Sequence, residues 1–157
     1  MGIILSVGDS APNFSSPGDG GATVALQALR GKTVVLYFYP KDDTSGCTRE
    51  AQDFTALADA FAAAGAVVIG MSKDSAKSHD RFKAKHGLGV LLASDADGDV
   101  AERYGVWVEK SMYGRTYMGL ERATFVIDPE GKIARIWRKV KVAGHAQAVL
   151  DAVRGSG

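Results

Sequence analysis

Residues 34–47 read VVLYFYPKDDTSGC and contain a predicted transition from a strand to a helix. The first six residues form a continuous run of β-branched and aromatic side chains, which is typical of a strand buried on both faces. Pro40 ends this strand, a polar loop follows, and the apolar spacing beyond it predicts a helix over about residues 47–64. Cys47, the only cysteine in the chain, therefore lies where a polar loop leads into a helix.

Strand and helix patterns alternate on both sides of this segment. Further strands are predicted at residues 66–71, 90–92, 123–127 and 133–137, and further helices at residues 75–86, 100–104 and 145–154. Residues 105–121 are predicted to be irregular. Their aromatic residues Trp107, Tyr113 and Tyr117 are predicted to serve core packing and loop anchoring, and the alternative is that they line a pocket or an interface. This order predicts an α/β fold in which a mixed central β-sheet is flanked by helices, and we expect one domain over residues 1–157.

The composition excludes several classes of protein. Hydrophobic residues make up 46% and charged residues 24% of the 157 residues, which argues against long disorder. With 19 Lys and Arg against 18 Asp and Glu, no excess of positive charge points to a nucleic-acid partner. No apolar run reaches the roughly 18 residues that a membrane span requires. Residues 1–5 carry no Lys or Arg ahead of their apolar side chains, so we expect no secretory signal and a cytoplasmic protein.

Cys47 is the candidate reactive residue. At a helix N-terminus, unpaired backbone N–H groups and the positive end of the helix dipole favour a thiolate over a thiol. Thr44 can bring its hydroxyl beside the sulfur, and Gly46 lets the backbone pass close to a small ligand. The alternative is that a lone cysteine serves as a small buried apolar side chain. The polar loop and the helix start favour reactivity, while a single cysteine excludes an intrachain disulfide and an all-cysteine metal site.

The spacing Pro40-x-x-x-Thr44-x-x-Cys47 resembles the active-site signature of the peroxiredoxins. The longer strings YFYPKDDT, at residues 37–44, and GCTREA, at residues 46–51, are similar to the bacterioferritin-comigratory-protein, or Q-type, branch of that family. Further similarity lies at residues 7–14, 105–107, 109–110, 114–117 and 122–128.

Essentially all of residues 5–155 take part in this resemblance, which implies a thioredoxin-like fold. It also implies that hydrogen peroxide and organic hydroperoxides are reduced by a cysteine thiolate, without a metal, haem or other cofactor. By the resemblance, Cys47 attacks the peroxide and becomes a sulfenic acid, while Thr44 orients the peroxide. Arg122 matches the family's active-site arginine, which favours the thiolate and stabilises charge on the separating oxygens; its alternative role is a surface arginine beside a strand. Pro40 covers the pocket and limits access of water.

The sequence departs from the family at positions that bear on the reaction. Many Q-type members carry a second, resolving cysteine five residues after the first, where this chain has Gln52. Others carry it within residues 82–85, where this chain has no cysteine, and Ser45 stands in place of a common proline. These departures predict a one-cysteine enzyme whose sulfenic acid is reduced by an external thiol, from thioredoxin, glutathione or glutaredoxin. We expect the enzyme to be a monomer or weak dimer.

Two alternatives stay open beside the peroxidase. In a thioredoxin-fold redox sensor or binding module, oxidation of Cys47 would signal without turnover, and in a structural domain the cysteine would be inert. The amount of peroxide consumed per Cys47 separates the three, because only an enzyme turns over many times. His79, His86 and His145 are predicted to be solvated rather than catalytic bases, because two lie on the basic helix at residues 75–86 and the third opens the last helix.

Overall fold

The computed structural model describes residues 4–155 of the chain. Residues 1–3, on which the expectation about a secretory signal partly rests, and residues 156–157, at the end of the predicted domain, lie outside the described residues. The strands are β1 (Ser15–Pro17), β2 (Thr23–Ala25), β3 (Thr33–Phe38), β4 (Ala66–Ser72), β5 (Leu91–Ser94), β6 (Trp107–Met112), β7 (Arg115–Leu120), β8 (Ala123–Ile127) and β9 (Ile133–Trp137). The α-helices are α1 (Ser45–Ala56), α2 (Ala58–Ala63), α3 (Ala76–His86), α4 (Val100–Arg103) and α5 (His145–Gly155), and short 3-10 helices lie at Asp19–Gly21 and Leu26–Leu29.

The central sheet has five strands in the order β5-β4-β3-β8-β9. β3 runs parallel to β4, which runs parallel to β5, whereas β8 is antiparallel to both β3 and β9. Val35, in the middle of β3, lies opposite Val68 of β4 and Val126 of β8. The strand expected to be buried on both faces is therefore the middle strand of the sheet, and the predicted mixed central sheet flanked by helices is confirmed.

Successive side chains of β3 point to opposite faces of the sheet and enter two separate apolar clusters. Leu36 packs on one face in a cluster that includes Tyr104. Val35 and Tyr37 pack on the other face, with the buried side chains of α1 and α5. The second cluster also contains Cys47, so the candidate reactive residue lies at the edge of the apolar core.

The helix predicted over residues 47–64 is two helices in the structure. α1 begins at Ser45 and α2 ends at Ala63, and the chain leaves helical geometry at Leu57, where φ is −103° and ψ is 8°. The Thr55 hydroxyl donates to the carbonyl of Ala51 at 2.7 Å and accepts the backbone N–H of Gly89 at 3.0 Å. A hydroxyl bonded to the preceding turn often bends a helix, and here the same hydroxyl also holds a distant loop.

Residues 107–120 form a hairpin, so the prediction of an irregular segment is wrong there. β6 and β7 pair with each other antiparallel and form a separate two-stranded sheet. Their turn contains Tyr113 and Gly114, both with positive φ, which is the backbone geometry of a tight hairpin turn. Most side chains of the two strands are exposed, so the strands lack the alternation of apolar and polar residues by which a half-buried strand is identified.

The three aromatic residues of this segment have different surroundings. Tyr113 is 97% exposed and Tyr117 is 45% exposed, so the core packing and anchoring predicted for them are wrong. Trp107 is half-buried against the core, and the Lys73 ammonium lies 5.2 Å from its ring centroid. Only Trp107 among the three therefore has the predicted packing role.

The other predicted elements are present, and their observed ends differ from the predicted ones by no more than two residues. None of the helices within residues 4–155 is both long enough and apolar enough to cross a membrane.

Candidate active site

Cys47 is the third residue of α1, and its side chain is only 2% exposed. Thr44 is the N-cap residue, with extended backbone angles, and its carbonyl accepts the N–H of Thr48 at 2.8 Å as the helix begins. The sulfur therefore lies within the first turn of α1, where backbone N–H groups have no helical partner and the helix dipole favours negative charge. The predicted helix-start position of the cysteine is confirmed.

Arg122 lies next to Cys47 because of the register of the central sheet. β3 and β8 are paired so that Phe38, at the end of β3, faces Ala123, at the start of β8, and Arg122 immediately precedes Ala123. Its Nη2 donates to the Cys47 sulfur at 3.4 Å. A Cβ atom at Gly46 would lie 3.2 Å from this Nη2. Gly46 was expected to leave space for a small ligand, and in the structure it leaves space for the Arg122 guanidinium.

Glu50 is a site residue that the sequence did not single out. It follows Cys47 by three residues in α1, so that both side chains lie on one face of the helix. Its carboxylate is 1% exposed, and Oε1 accepts from Nη1 of Arg122 at 2.7 Å, while Oε2 has no hydrogen-bond partner. Burial raises the pKa of Glu50 from 4.5 to about 7, although the Arg122 charge opposes the rise. The sequence signal for Glu50 was the presence of an acidic residue three positions after Cys47, on the same face of the predicted helix.

Thr44 and Pro40 flank the loop before α1, and both are exposed. The Thr44 hydroxyl donates to the carbonyl of Lys41 at 2.9 Å and does not cap the helix with its side chain. Its oxygen keeps acceptor capacity, and the hydroxyl can rotate toward a bound peroxide. Pro40 lies two residues after the end of β3 and has no N–H with which to extend the strand. Orientation of the peroxide by Thr44 and shielding by Pro40 stay predictions.

Tyr37 lies beneath the site and was also missed as a neighbour of the reactive cysteine. Its ring stacks on Phe54 with centroids 4.7 Å apart, and its hydroxyl is buried without a hydrogen-bond partner. Burial, and then the charges of Glu50 and Cys47, raise the pKa of Tyr37 well above its ordinary value. The phenol therefore stays neutral and contributes an apolar wall to the site.

Two of the three histidines are buried, contrary to the predicted solvation. His79 is fully buried, His145 is buried against Thr124, and the His86 side chain is 19% exposed. Burial and the nearby Arg122 charge lower the pKa of His145 to about 4, so this ring is neutral at pH 7. The sequence places His79 and His145 on helices, but it does not show that their rings point into the protein interior.

The loop between β3 and α1 is attached to α3. Asp42 is buried and lies 2.7 Å from Nδ1 of His79. Asp43, the next residue, has a left-handed φ of 60°, and its exposed carboxylate accepts from Lys85 and contacts His86, both at 2.7 Å. Within residues 4–155, no group of three or more His, Cys, Asp or Glu side chains is arranged to hold a metal ion.

The sequence matches a family model and several known proteins. The AhpC/TSA family model matches residues 7–136. Peroxiredoxin Bcp of Bacillus subtilis is 47% identical over 152 residues, which are 97% of this chain and 97% of that protein. A putative peroxiredoxin bcp of Coxiella burnetii is 51% identical over 146 residues, 93% of this chain and 97% of that protein. Peroxiredoxin Bcp of Escherichia coli K12 is 42% identical over 147 residues, 94% of each chain.

Solved structures give the same grouping. A structure of Xanthomonas campestris peroxiredoxin Q superposes with a TM-score of 0.87 at 48% identity, covering 90% of each chain. A mutant of Xylella fastidiosa PrxQ superposes with a TM-score of 0.93 at 38% identity, covering 99% of each chain. The central sheet and its helices are the thioredoxin-like fold that these proteins share. The chain belongs to the AhpC/TSA family of peroxiredoxins, in the branch that contains Bcp and peroxiredoxin Q.

Proposed function

We propose that this chain is a one-cysteine peroxidase that reduces hydrogen peroxide and organic hydroperoxides through Cys47. The observation that carries the proposal is the arrangement at the start of α1, where the Cys47 sulfur receives a hydrogen bond from Arg122 at 3.4 Å. Among the solved relatives, the Xanthomonas campestris bacterioferritin comigratory protein is described with alkyl peroxide reduction activity, which supports an organic hydroperoxide as a substrate.

The first step oxidises Cys47 by two electrons. The thiolate attacks the terminal oxygen of the peroxide, an S–O bond forms and the O–O bond breaks. The leaving oxygen takes up a proton and departs as water or an alcohol, and Cys47 becomes a sulfenic acid. In this proposal Arg122 favours the thiolate and stabilises charge on the separating oxygens, Thr44 orients the peroxide, and Pro40 limits access of water.

The second step needs a thiol from another molecule. Gln52 occupies the position of the usual resolving cysteine and is exposed on α1, and Cys47 is the only cysteine of the sequence. A donor thiol therefore attacks the Cys47 sulfur, releases water and forms a mixed disulfide. A second thiol then releases reduced Cys47 and a donor disulfide. We propose thioredoxin, or glutathione with glutaredoxin, as the donor.

The proposed donors suggest where the enzyme works and in which oligomeric state. Both are kept reduced in the cytoplasm, where structural disulfides are rare, so we propose that the enzyme is cytoplasmic. We also propose a monomer or weak dimer. The exposed large apolar side chains of the β6–β7 hairpin are few, namely Met112, Tyr113, Tyr117 and Met118, which suits a weak contact better than a permanent one.

The proposal is tested by peroxide consumption with a panel of donors. The wild-type protein is supplied with the thioredoxin system, with glutathione and glutaredoxin, or with dithiothreitol, and turnover per Cys47 is counted. We expect many turnovers with at least one donor and none in Cys47→Ser. Gln52→Ala, at an exposed position of the same helix, is the matched control and should keep full turnover. Multiple turnover in Cys47→Ser would overturn the proposal.

The same measurement separates the enzyme from a redox sensor. A sensor consumes about one peroxide per Cys47 and then stops, whatever donor is present. An inert structural cysteine consumes none.

A further inference from the structure

A buried polar cluster behind the active-site loop has no part in the proposed reaction steps. Its centre is His79 on α3, whose side chain has 0% exposure. The ring Nδ1 lies 2.7 Å from Oδ2 of Asp42, in the loop before α1. The ring Nε2 lies 2.9 Å from the carbonyl oxygen of Ala93, in β5. Both ring nitrogens therefore face oxygen acceptors.

The partners of His79 determine its protonation. A carbonyl oxygen only accepts, so Nε2 must carry a hydrogen. Asp42 Oδ1 accepts from the Tyr39 hydroxyl at 2.5 Å, and Oδ2 accepts from the Ser78 hydroxyl at 2.8 Å, which is the pattern of an ionised carboxylate. Nδ1 must then carry a hydrogen as well, because it faces that carboxylate. His79 is therefore an imidazolium that is paired with Asp42 away from water.

Asp42 connects this pair to the reactive cysteine. It lies two residues before Thr44, the N-cap of α1, and five residues before Cys47. Its backbone N–H also donates to Oδ2 of Asp74 at 2.8 Å, so the loop is held through both side chain and backbone. Because the loop continues directly into α1, a displacement of Asp42 displaces the start of that helix.

We propose that His79 is a positioning residue for the peroxidase reaction. As a buried imidazolium it holds Asp42, and through Asp42 it holds the loop that places Thr44 and the first turn of α1. The inference rests on the proposed function, because it concerns the rate at which peroxide oxidises Cys47. His79 touches neither the peroxide nor the sulfur in this scheme, and it acts only through the loop.

The groups around His79 favour the charged ring and set the direction of its pH dependence. Asp42 faces it from the loop, Asp74 from the segment between β4 and α3, and Tyr39 from the position directly after β3. Burial disfavours the charged ring, but the hydrogen bond and charge of Asp42, the hydrogen bond to Ala93 and the charge of Asp74 together outweigh burial, and the pKa of His79 is raised. When the pH rises past this raised pKa, the ring loses a hydrogen and one of its two acceptors faces a bare nitrogen. We therefore expect oxidation of Cys47 to slow at alkaline pH.

The test is the rate of single-turnover oxidation of Cys47 by hydrogen peroxide, measured without a donor thiol across a range of pH. His79→Gln should lower the second-order rate constant about tenfold and remove the alkaline decline. Lys77→Gln is the matched control on the same helix, because Lys77 is exposed and lies outside the contacts between α3 and the active-site loop. It should stay within about twofold of wild type and keep the alkaline decline.

The outcomes distinguish this inference from the proposed function. If wild-type Cys47 is not oxidised by peroxide, the proposed function fails. If wild-type Cys47 is oxidised and His79→Gln has the same rate constant and pH profile, the positioning role is overturned.

A second measurement applies even where His79→Gln does not fold. Ring nitrogen chemical shifts, measured by NMR on the wild-type protein, should show a doubly protonated His79 at neutral pH. In Asp42→Asn, which keeps the size of the side chain but removes its charge, the ring should become neutral at a lower pH than in wild type. A neutral His79 ring in the wild-type protein at neutral pH would overturn the inference.

Discussion

At the residue scale, the Arg122 guanidinium has two partners that compete for its charge. Nη2 donates to the Cys47 sulfur at 3.4 Å, and Nη1 donates to the Glu50 carboxylate at 2.7 Å. An arginine side chain stays charged at any pH that the protein tolerates, so only its partners titrate. A neutral Glu50 leaves the whole charge to the sulfur, whereas an ionised Glu50 offsets part of it. In the proposed reaction, the ionisation of Glu50 would therefore change how much of the Arg122 charge acts on the sulfur.

Replacement of Arg122 by methionine should decrease the fraction of Cys47 that is thiolate at neutral pH, because the nearby cation is lost. Oxidation of Cys47 by peroxide should slow about 10²-fold, as when one transition-state hydrogen-bond donor is removed. The thiolate is measured by its ultraviolet absorbance and the oxidation by stopped-flow fluorescence. Arg115→Met, at an exposed position of β7, is the control. An unchanged thiolate fraction together with an unchanged oxidation rate in Arg122→Met would contradict both electrostatic roles of Arg122.

Glu50 should also give the folding stability a pH dependence of definite sign. Burial raises the pKa of Glu50 from 4.5 to about 7, so between these values the folded protein keeps a proton that the unfolded chain releases. Buried, neutral His145 contributes a rise in the free energy of unfolding up to about pH 6.5, which opposes the effect of Glu50. The contribution of Glu50 alone should fall as the pH rises from 4.5 to 7, by at most about 1.4 kcal/mol per pH unit. Glu50→Gln should remove this decrease, as measured by urea unfolding at a series of pH values. Glu109→Gln, at an exposed position of β6, is the control and should keep the decrease. The same pH dependence of the free energy of unfolding in wild type and Glu50→Gln would contradict the raised pKa of Glu50.

At the scale of single elements, α1 separates the reactive position from the position of the usual resolving cysteine. Cys47 is buried and Gln52 is exposed, and both lie within Ser45–Ala56. Residues five apart on a straight helix have Cα atoms roughly 8–9 Å apart. A disulfide requires a separation below about 7 Å. A bridge between these two positions therefore requires the start of α1 to unwind.

Gln52→Cys should permit an intrachain disulfide after oxidation by one equivalent of peroxide, and the disulfide should be accompanied by loss of helix. Circular dichroism and amide hydrogen exchange over residues 47–52 measure that loss. Gln52→Ser, which cannot form a bridge, is the control and should keep its helix when oxidised. Efficient bridging with α1 unchanged would contradict the geometry of the helix.

The elements that could be predicted from the sequence are those whose burial is visible in the residue pattern. β3 is predictable from its unbroken apolar run, and the end of α3 from Gly87, which has the left-handed conformation in the structure. β6 and β7 were missed because strands exposed on most of their length carry no burial pattern. The break at Leu57 was missed because the Thr55 hydroxyl bonds to Gly89, which is distant in sequence.

The residues of the candidate site also differ in whether the local sequence identifies them. Cys47 was identified because its signal is local, at the junction of a loop and a helix. Arg122 was identified only through resemblance to a family, since the register between β3 and β8 brings it to the sulfur. The partners of Glu50 and His79 depend on packing between elements, which the sequence pattern does not contain.

At the scale of the whole molecule, Cys47 is enclosed by the elements around it. With 2% of its side chain exposed, two copies of the protein cannot bring their sulfurs together while α1 is folded. One equivalent of peroxide should therefore increase the intact mass by one oxygen atom. When an equal amount of reduced protein is then added, no disulfide-linked dimer should appear on a non-reducing gel. The same mixture in urea is the control, because unfolding exposes both sulfurs, and the sulfenic acid of one copy then condenses with the thiol of another to give a disulfide and water. Linked dimers in the folded sample would show that the enclosure opens readily.

Because the Cys47 sulfur is buried, a small peroxide and a protein donor differ in how easily they can reach it. A peroxide brings only a few atoms to Cys47, whereas a protein donor must bring a cysteine that is embedded in its own surface. We expect such a donor to reach the sulfur only when the first turn of α1 moves, because Cys47 is buried while that turn is folded. We therefore expect the turnover rate to saturate as the concentration of a protein donor rises. The maximum turnover rate should equal the rate at which this turn opens. The opening rate of this turn would then determine how long Cys47 stays oxidised before the next turnover.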